Sequence, residues 1–264
     1  MIHADLLIKD LDQVREQSPL VHNITNYVVM NNTANALLAI GASPVMAHSI
    51  GEVEEMAGIA SSLVINIGTL SNEWIKGMFL AGKAALKRKI PVILDPVGAG
   101  ATSYRTQTCL ALIKECPPTI IRGNGSEIMA LVSNNSNTKG VDSRATSDSA
   151  LESAGLLARQ SGAIVVISGP VDYVTDGSQT EQVKNGTSML TKVTGMGCTA
   201  SALIGAFAAV NPDPFTASVH AMSIMSITGE LAAEKSAGPG SMQLHFLDEL
   251  YLLTGEAIRK QLKN

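Results

Sequence analysis

The feature that most constrains the fold of this chain is a repeated alternation of short apolar runs with longer helical stretches. The runs are rich in Val and Ile, end at Gly, Asn, Asp or Ser, and cover residues 63–67, 91–94, 119–121 and 163–167. Such runs are typical of strands buried on both faces of a parallel sheet. The helical crossovers that parallel pairing requires are predicted at 72–88, 106–116 and 148–161. We therefore predict a three-layer α/β/α sandwich with a mostly parallel central sheet.

The second half of the chain departs from this alternation. Asp176-Gly177 and Asn185-Gly186 are dipeptides typical of hairpin turns. They predict antiparallel strands that extend one sheet edge, at 173–175, 179–184 and 188–193. The last third predicts successive helices over one face of the sheet, at 199–210, 215–234 and 245–262. Residues 133–149, rich in Ser and Asn, are predicted to form a surface loop or mobile lid.

Composition narrows the function classes. We treat residues 1–264 as one domain, because no internal repeat or low-complexity linker marks a boundary. A net charge of −4 gives no general attraction to nucleic acid or to anionic membranes. No apolar run approaches the roughly 20 residues that span a bilayer, and residues 1–10 do not resemble a signal peptide. Cys109, Cys116 and Cys198 form no CxxC unit, which argues against a disulfide scaffold or structural zinc. We expect a cytoplasmic protein.

A glycine-rich turn before an apolar helix is the strongest chemical signal. The segment Lys-Val-Thr-Gly-Met-Gly-Cys-Thr-Ala-Ser-Ala-Leu occupies 192–203, with Gly195, Gly197 and Cys198 at the start of the helix. Glycine lets the backbone approach a ligand, and the N–H groups of a first helical turn attract phosphate. The same helix end favours a thiolate at Cys198. The alternative is an ordinary turn before a core helix with an inert cysteine.

Polar residues follow the predicted strands at the edge where ligands bind in open parallel sheets. Asp95 follows the second of these strands, Arg122 and Glu127 the third, and Ser168 the fourth. A cation, two carboxylates and a helix N-terminus suit phosphoryl transfer with Mg²⁺. Taken singly, Asp95 also suits a turn, and Arg122 with Glu127 a surface ion pair. The chain has no P-loop motif and no dinucleotide fingerprint after an N-terminal strand.

Six motifs together carry a specific resemblance. They are Ser-Pro-Leu-Val-His-Asn-Ile-Thr-Asn at 18–26, Gly-Ala-Ser-Pro-Val-Met at 41–46, Asn-Ile-Gly-Thr-Leu at 66–70, Asp-Pro-Val-Gly-Ala-Gly-Ala at 95–101, Arg-Gly-Asn at 122–124 and Lys-Val-Thr-Gly-Met-Gly-Cys at 192–198. In this order they resemble the hydroxyethylthiazole kinase family of thiamine biosynthesis and salvage, within the ribokinase-like superfamily. The resemblance covers nearly the whole chain. It implies transfer of phosphate from ATP, with Mg²⁺, to the hydroxyl of 4-methyl-5-(2-hydroxyethyl)thiazole.

The resemblance also implies a role for each motif residue. The substrate pocket would be lined by Met46, Gly195 and Asn26. The ATP site would include Arg122, Ser168 and Gly197, and the carboxylates of Asp95 and Glu127 would position Mg²⁺, through water in part. Most ribokinase-like enzymes resemble one another in having Asp where this chain has Cys198. We therefore expect Cys198 to act on the substrate hydroxyl mainly by positioning rather than by proton abstraction.

Further expectations concern assembly and the remaining residues. The resemblance implies a homotrimer with active sites between subunits, in which residues 23–26 of one chain meet the pocket of its neighbour. His22 and His48 are expected to be structural hydrogen-bonding groups, and Trp74, Met222 and Met225 to be packing residues. Two other functions stay open. One is a kinase for a different small alcohol, such as hydroxymethylpyrimidine, and the other is a catalytically silent sensor of thiazole or nucleotide.

Overall fold

The structure is a computed structural model that describes residues 1–133 and 147–264. The loop or lid expected at 133–149 lies outside the described residues, apart from its two ends, which belong to helices. The strands are β1 Leu20–Ile24, β2 Ser43–Val45, β3 Ser62–Asn66, β4 Val92–Asp95, β5 Ile120–Asn124, β6 Ile164–Ser168, β7 Asp172–Thr175 and β8 Thr180–Val183. The helices are α1 Ala4–Gln17, α2 Met30–Ile40, α3 Val53–Ile59, α4 Asn72–Arg88, α5 Ser103–Glu115, α6 Gly125–Ser133, α7 Ser147–Ser161, α8 Met196–Val210, α9 Pro214–Glu234, α10 Pro239–Leu252 and α11 Gly255–Gln261.

Within the described residues, the strands form one sheet in the order β2, β1, β3, β4, β5, β6, β7, β8. Neighbours from β2 to β6 are parallel, and β7 and β8 are antiparallel additions. The four apolar runs found in the sequence correspond to β3, β4, β5 and β6. Periodicity did not identify β1 or β2, because His22 and Asn23 interrupt the apolar pattern of β1 and β2 is a short, half-buried edge strand.

Two hydrophobic cores lie on opposite faces of the sheet. One contains apolar residues of α1, α2, α8, α9, α10 and α11, and the other contains those of α3 to α7. Neighbouring residues of a strand alternate between them: Val64 belongs to the first core, and Leu63 and Ile65 to the second. The expected three-layer α/β/α sandwich is confirmed. Helix α8 lies directly on the sheet, since a Cβ at Gly205 would come within 2.8 Å of Val64 Cγ2.

The strand predicted at 188–193 is wrong, because residues Ser188–Lys192 form a short 3₁₀ helix. Thr187 caps it by accepting a hydrogen bond from the Met189 N–H group. Asn185-Gly186 is therefore not a hairpin turn. Instead, the Asn185 side chain and the Gly186 N–H group donate to the carboxylate of Glu230 on α9, at 2.9 and 2.7 Å. A rule based on the local sequence of a turn cannot predict these hydrogen bonds, because Glu230 is distant in the chain.

The C-terminal region differs from its prediction in one place. The helix expected at 245–262 is two helices, α10 and α11, separated by an extended Leu253 and begun again by Thr254, which accepts from the Ala257 N–H group. Leu253 is buried in the core, so packing outweighs the local helical pattern. None of the helices in the described ranges is long and apolar enough to cross a membrane.

Candidate functional site

The candidate site lies where the carboxyl ends of the parallel strands meet the first turn of α8. The strand register sets Asn66 opposite Asp95 and Asn124 opposite Ser168. Polar residues from four strands therefore lie at one edge of the sheet. This is the edge at which ligands bind in open α/β sheets.

The glycine turn forms the entrance of α8 as the sequence predicts. Gly195 is the N-cap residue and has a left-handed backbone with φ +83°, which favours glycine. The first helical hydrogen bond runs from the Thr199 N–H group to the Gly195 carbonyl, at 2.8 Å. The N–H groups of Met196, Gly197 and Cys198 thus precede the hydrogen-bond ladder of the helix and lie at its N-terminus. They can receive an anion there.

Arg122, Ser168 and Gly197 are brought together beside this turn. The Arg122 guanidinium donates a hydrogen bond to the Ser168 hydroxyl oxygen. A Cβ at Gly197 would lie 2.7 Å from Arg122 Nη1, so only glycine leaves room for the guanidinium there. Arg122 Nε is buried and has no hydrogen-bond partner among the described residues. A buried cation with an unused donor next to a helix N-terminus is suited to phosphate.

A cavity of about 500 Å³ opens beside these three residues, which all contribute to its wall. Other wall residues come from the end of β5, from the segment after β6, from the 3₁₀ helix and from α8 and α9; they include Asn124, Asp172, Leu190, Met196, Met222, Met225 and Ser226. Met222 and Met225 were expected to be packing residues, and they are buried but also line this cavity. One part of the wall is thus polar and cationic, and another is apolar, a combination that fits a nucleotide.

On the other side of the glycine turn, the half-buried Cys198 belongs to a chain of polar side chains whose other members are buried. Asn26 Nδ2 lies 3.5 Å from Cys198 Sγ and 3.0 Å from Asn66 Oδ1. Asn66 Nδ2 donates to Asp95 Oδ2 at 3.0 Å, and Ser201 Oγ donates to the same oxygen at 2.7 Å. We did not single out Asn66 or Ser201 from the sequence. Asn66 carried a signal, since it ends a buried strand inside one of the six motifs.

The two carboxylates are held differently. Glu127 Oε1 accepts from the Gly98 N–H group and Oε2 from the Asn124 N–H group, each at 2.8 Å. Asn124 Oδ1 accepts in return from the Glu127 N–H group, so α6 begins with a capping box. Glu127 is therefore not a surface ion pair with Arg122. Burial raises the pKa of Asp95, and the charge of Glu127 adds to this increase.

Burial dominates the electrostatics of Asp95 and Cys198. It raises the pKa of Asp95 to about 6, although Arg122 and the hydrogen bond from Ser201 act in the opposite direction. Burial and then the charge of Asp95 raise the pKa of Cys198 to about 11. The helix terminus favours a thiolate locally, but desolvation and a neighbouring carboxylate act against it. Both effects favour the neutral thiol of Cys198.

These carboxylates can serve as Mg²⁺ ligands. Each Glu127 oxygen retains a further lone pair beyond its backbone hydrogen bond, and carboxylate oxygens are preferred by this ion. The described residues contain no cluster of three or more His, Cys, Asp or Glu side chains that would hold a metal without help. This donor set fits Mg²⁺, which usually keeps several waters and binds one or two carboxylates together with substrate phosphates.

Met46 lies apart from the cavity. It follows edge strand β2, and β2 pairs with β1, whose end leads to Asn26. Asn23 and Asn26 are buried in their own chain, whereas Tyr27 and Val28, the next residues, are 63% and 67% exposed.

An aromatic cluster stands beside this segment. The Tyr27 ring lies 4.7 Å from the Trp74 ring, and the His48 ring lies 4.6 Å from it. His22 is a structural hydrogen-bonding group, as predicted, because its Nε2 lies 2.8 Å from the Ala47 carbonyl oxygen. His48 Nδ1 is buried and has no hydrogen-bond partner among the described residues. The hydrogen-bonding role expected of His48 is therefore not seen at this atom, and the contact shown is that of its ring with Trp74.

Comparison with known proteins gives a consistent result. The model of the hydroxyethylthiazole kinase family matches residues 11–256. The hydroxyethylthiazole kinase of Leptospira biflexa serovar Patoc is 55% identical over 97% of this chain and 96% of its own length. The solved structure of the hydroxyethylthiazole kinase from Pyrococcus horikoshii is 43% identical, covers 98% of both chains and has a TM-score of 0.91. A ribokinase-like superfamily protein from Enterococcus faecalis, 11% identical over 100% of this chain and 96% of its own, shares the fold with a TM-score of 0.69.

Proposed function

The chain belongs to the hydroxyethylthiazole kinase family, and we propose that it transfers the γ-phosphoryl group of ATP to the hydroxyl group of 4-methyl-5-(2-hydroxyethyl)thiazole. One observation carries the proposal: a buried Arg122 with an unused donor lies against Gly197, at the turn that also bears Cys198. Phosphate-binding and hydroxyl-binding groups therefore flank one helix N-terminus. Phosphoryl transfer requires such alignment of donor and acceptor.

The phosphate side neutralises charge. Arg122 and the N–H groups of Met196, Gly197 and Cys198 would contact the terminal phosphates, and Ser168 would hold the guanidinium in place. In phosphoryl transfer, positioning and charge stabilisation provide most of the rate acceleration. The cavity beside Ser168 would then hold the nucleoside, with the apolar side chains of Met222 and Met225 against the base.

The alcohol side positions the acceptor. The substrate hydroxyl would lie between Cys198 and the γ-phosphorus, near Asn26, and Gly195 and Met46 would contact the rest of the thiazole alcohol. A bond forms between the hydroxyl oxygen and the γ-phosphorus as the bond to the ADP oxygen breaks, and the hydroxyl proton is released to solvent water as the new bond forms. With its pKa raised to about 11, Cys198 orients the hydroxyl as a neutral thiol. A loose transition state needs little help from a base.

Asp95 and Glu127 are the residues that would hold Mg²⁺. There, Mg²⁺ would supply positive charge that neutralises the phosphates of the nucleotide. Asn66 and Ser201 would keep the Asp95 carboxylate in one orientation through their hydrogen bonds at 3.0 and 2.7 Å. Glu127 would additionally fix the loop after β4 to the start of α6 through the N–H groups of Gly98 and Asn124.

The proposal includes assembly and location. We take residues 1–264 as one kinase domain, since a single sheet joins the described strands from β1 to β8. A homotrimer in the cytoplasm is proposed, with the alcohol site between subunits. Exposed Tyr27 and Val28 next to Asn26 support a neighbour at that end of the site. Light scattering coupled to gel filtration would give the mass of the assembly, and a monomer would contradict the proposed trimer.

The decisive experiment is an ADP-formation assay with a panel of small alcohols. We expect ADP to form with the thiazole alcohol and Mg²⁺ and to stop when either is omitted. Preference for hydroxymethylpyrimidine would instead support the other kinase specificity. Binding of ATP and thiazole without ADP formation would support a silent sensor.

A further inference from the structure

A carboxylate lines the same cavity as Arg122 and has no part in the chemistry described above. Asp172 is the first residue of β7 and is 7% exposed. Among the described residues that line the cavity, Arg122 and Asp172 are the charged ones. Arg122 is suited to phosphate, whereas a carboxylate in the same cavity requires a ligand group that donates hydrogen bonds.

The protein satisfies this carboxylate only in part. Asp172 Oδ1 accepts from the Gly169 N–H group at 2.9 Å, and Oδ2 accepts from Ser226 Oγ at 3.4 Å. It forms no salt bridge with a described residue. Burial raises the pKa of Asp172 to about 6, although the Gly169 hydrogen bond and the charge of Arg122 act in the opposite direction. An ionised carboxylate accepts about four hydrogen bonds, so acceptor positions remain.

The position of Asp172 indicates which part of a nucleotide it would meet. It follows Ser168, the partner of Arg122, by a short turn, and its other neighbour, Ser226, lies on α9 beside Met225. The carboxylate therefore contacts the turn after Ser168 on one side and α9 on the other, and α9 also carries Met222 and Met225 of the cavity wall. In ATP the ribose joins the triphosphate to the base, and it carries two hydroxyl donors.

We propose that Asp172 accepts a hydrogen bond from a ribose hydroxyl of the nucleotide and is a specificity-determining residue for ribonucleotide donors. The inference rests on the proposed function, since it assumes that the cavity holds the nucleoside of ATP. Contact with the triphosphate would be repulsive for a carboxylate. Donation from a hydroxyl to a charged acceptor is instead among the stronger hydrogen bonds.

The test compares three nucleotides on two proteins. Binding of ATP, 2′-deoxy-ATP and 3′-deoxy-ATP with Mg²⁺ is measured by calorimetry on the wild type and on Asp172→Asn, in the absence of alcohol. We expect the wild type to bind at least one deoxynucleotide about 10-fold more weakly than ATP, because a hydrogen bond to a charged group is lost. In Asp172→Asn, that ratio should fall to about 3 or less, since a neutral amide accepts a weaker bond.

Several outcomes would overturn the inference. If the wild type binds all three nucleotides with equal affinity, the inference is wrong. This result needs no variant, so the inference can still be tested if Asp172→Asn fails to fold. An equal loss of affinity for all three nucleotides in Asp172→Asn would also overturn it. Such a loss would show that the substitution acts through the hairpin structure or the electrostatic field of the cavity. Asp176→Asn, in the exposed turn of the same hairpin, is the matched control and should keep the wild-type ratio.

The adenine amino group is the other donor on ATP. Discrimination against inosine triphosphate that Asp172→Asn abolishes, without discrimination against the deoxynucleotides, would overturn the ribose assignment. Because binding is measured without alcohol, the inference can fail while ADP formation succeeds. Conversely, absence of ADP formation would contradict the proposed function. The relative affinities for ATP and the deoxynucleotides would still test the role of Asp172.

Discussion

The two sides of the α8 entrance differ in how completely the chain satisfies its own polar groups. On the proposed phosphate side, Arg122, Met196 and Gly197 line the cavity, and the buried Nε of Arg122 has no hydrogen-bond partner among the described residues. On the alcohol side, Cys198, Asn26, Asn66 and Asp95 bond to one another in a buried chain. The first side is preformed for an anion, whereas the second already has internal partners.

This difference indicates how each side works. Buried donors without a partner cost free energy, which a bound phosphate would offset, so the proposed phosphate side is suited to binding. A connected polar chain instead fixes side-chain orientation, so the alcohol side is arranged for positioning. Met46 and exposed Tyr27 and Val28 lie beyond that chain, where a neighbouring subunit would complete the pocket under the proposed assembly.

Removal of the buried cation should have the largest effect. We expect Arg122→Ala to lower kcat/KM for ATP by about 10²–10³-fold, because a preorganised charge at the transferring group is lost. Steady-state kinetics at saturating alcohol measure this value. Arg159→Ala is the control, since Arg159 donates to the Gly177 carbonyl on the surface and should keep wild-type kinetics. A loss below threefold in Arg122→Ala would contradict a phosphate-binding role.

A methyl group at Gly197 tests the same side without removing charge. Its Cβ would meet Arg122 Nη1 at 2.7 Å, so Gly197→Ala should displace the guanidinium. We expect kcat/KM for ATP to fall by about 10–100-fold, less than after loss of the cation, since misplacement of about 1 Å costs up to 10². Gly58→Ala is the matched control, because nothing lies within 4 Å of its Cβ. Equal kinetics of the two variants would be inconsistent with the crowded geometry.

A substitution on the alcohol side should change kcat rather than ATP affinity. Cys198→Ser should reduce kcat by about 10-fold and leave ATP affinity within twofold, because positioning is lost and the phosphate contacts remain. Since burial raises the pKa of Cys198 to about 11, the wild-type kcat should show no step between pH 7 and 9 that Cys198→Ser removes. Unchanged turnover of Cys198→Ser would remove Cys198 from the catalytic groups. A step near pH 8 lost in the variant would instead indicate a thiolate.

The smallest effect concerns stability. The pKa of Asp172 is raised from its unfolded value to about 6, so the folded state binds the proton more tightly. The stabilisation of the folded state by this proton is complete below pH 4 and is lost as pH rises through 6. Asp172→Asn mimics the protonated form, so its melting temperature relative to wild type should rise by a few degrees between pH 4 and pH 7.5. Thermal scans of both proteins measure this. A constant difference across that range would show that the pKa is not raised.

Much of the site was predictable because it follows strand ends. Asp95, Arg122 and Ser168 come directly after apolar runs, and parallel strands bring such residues to one edge. Asn66 and Asp172 were missed for different reasons. Asn66 is uncharged, so it did not stand out as a candidate. The rule for parallel strands examines residues at the carboxyl end of a strand, whereas Asp172 lies at the amino end of the antiparallel strand β7.

Local rules failed where distant groups decide the backbone. Asn185-Gly186 has the composition of a hairpin turn, but hydrogen bonds to Glu230 on α9 direct this segment into the 3₁₀ helix. The thiolate form of Cys198 is likewise subject to a local effect and to a distant one. A helix end favours it locally, and the buried carboxylate of Asp95 opposes it across the fold.

The sequence by itself determined the layered parallel fold, the glycine turn and the family, because buried periodicity and backbone freedom are local properties of the chain. Only the tertiary structure decided the raised pKa of Cys198, the contact of Arg122 with Gly197 and the cavity position of Asp172. Each of these depends on burial and on charges brought together from distant segments. Desolvation is a property of the packed molecule, and no spacing along the chain contains it.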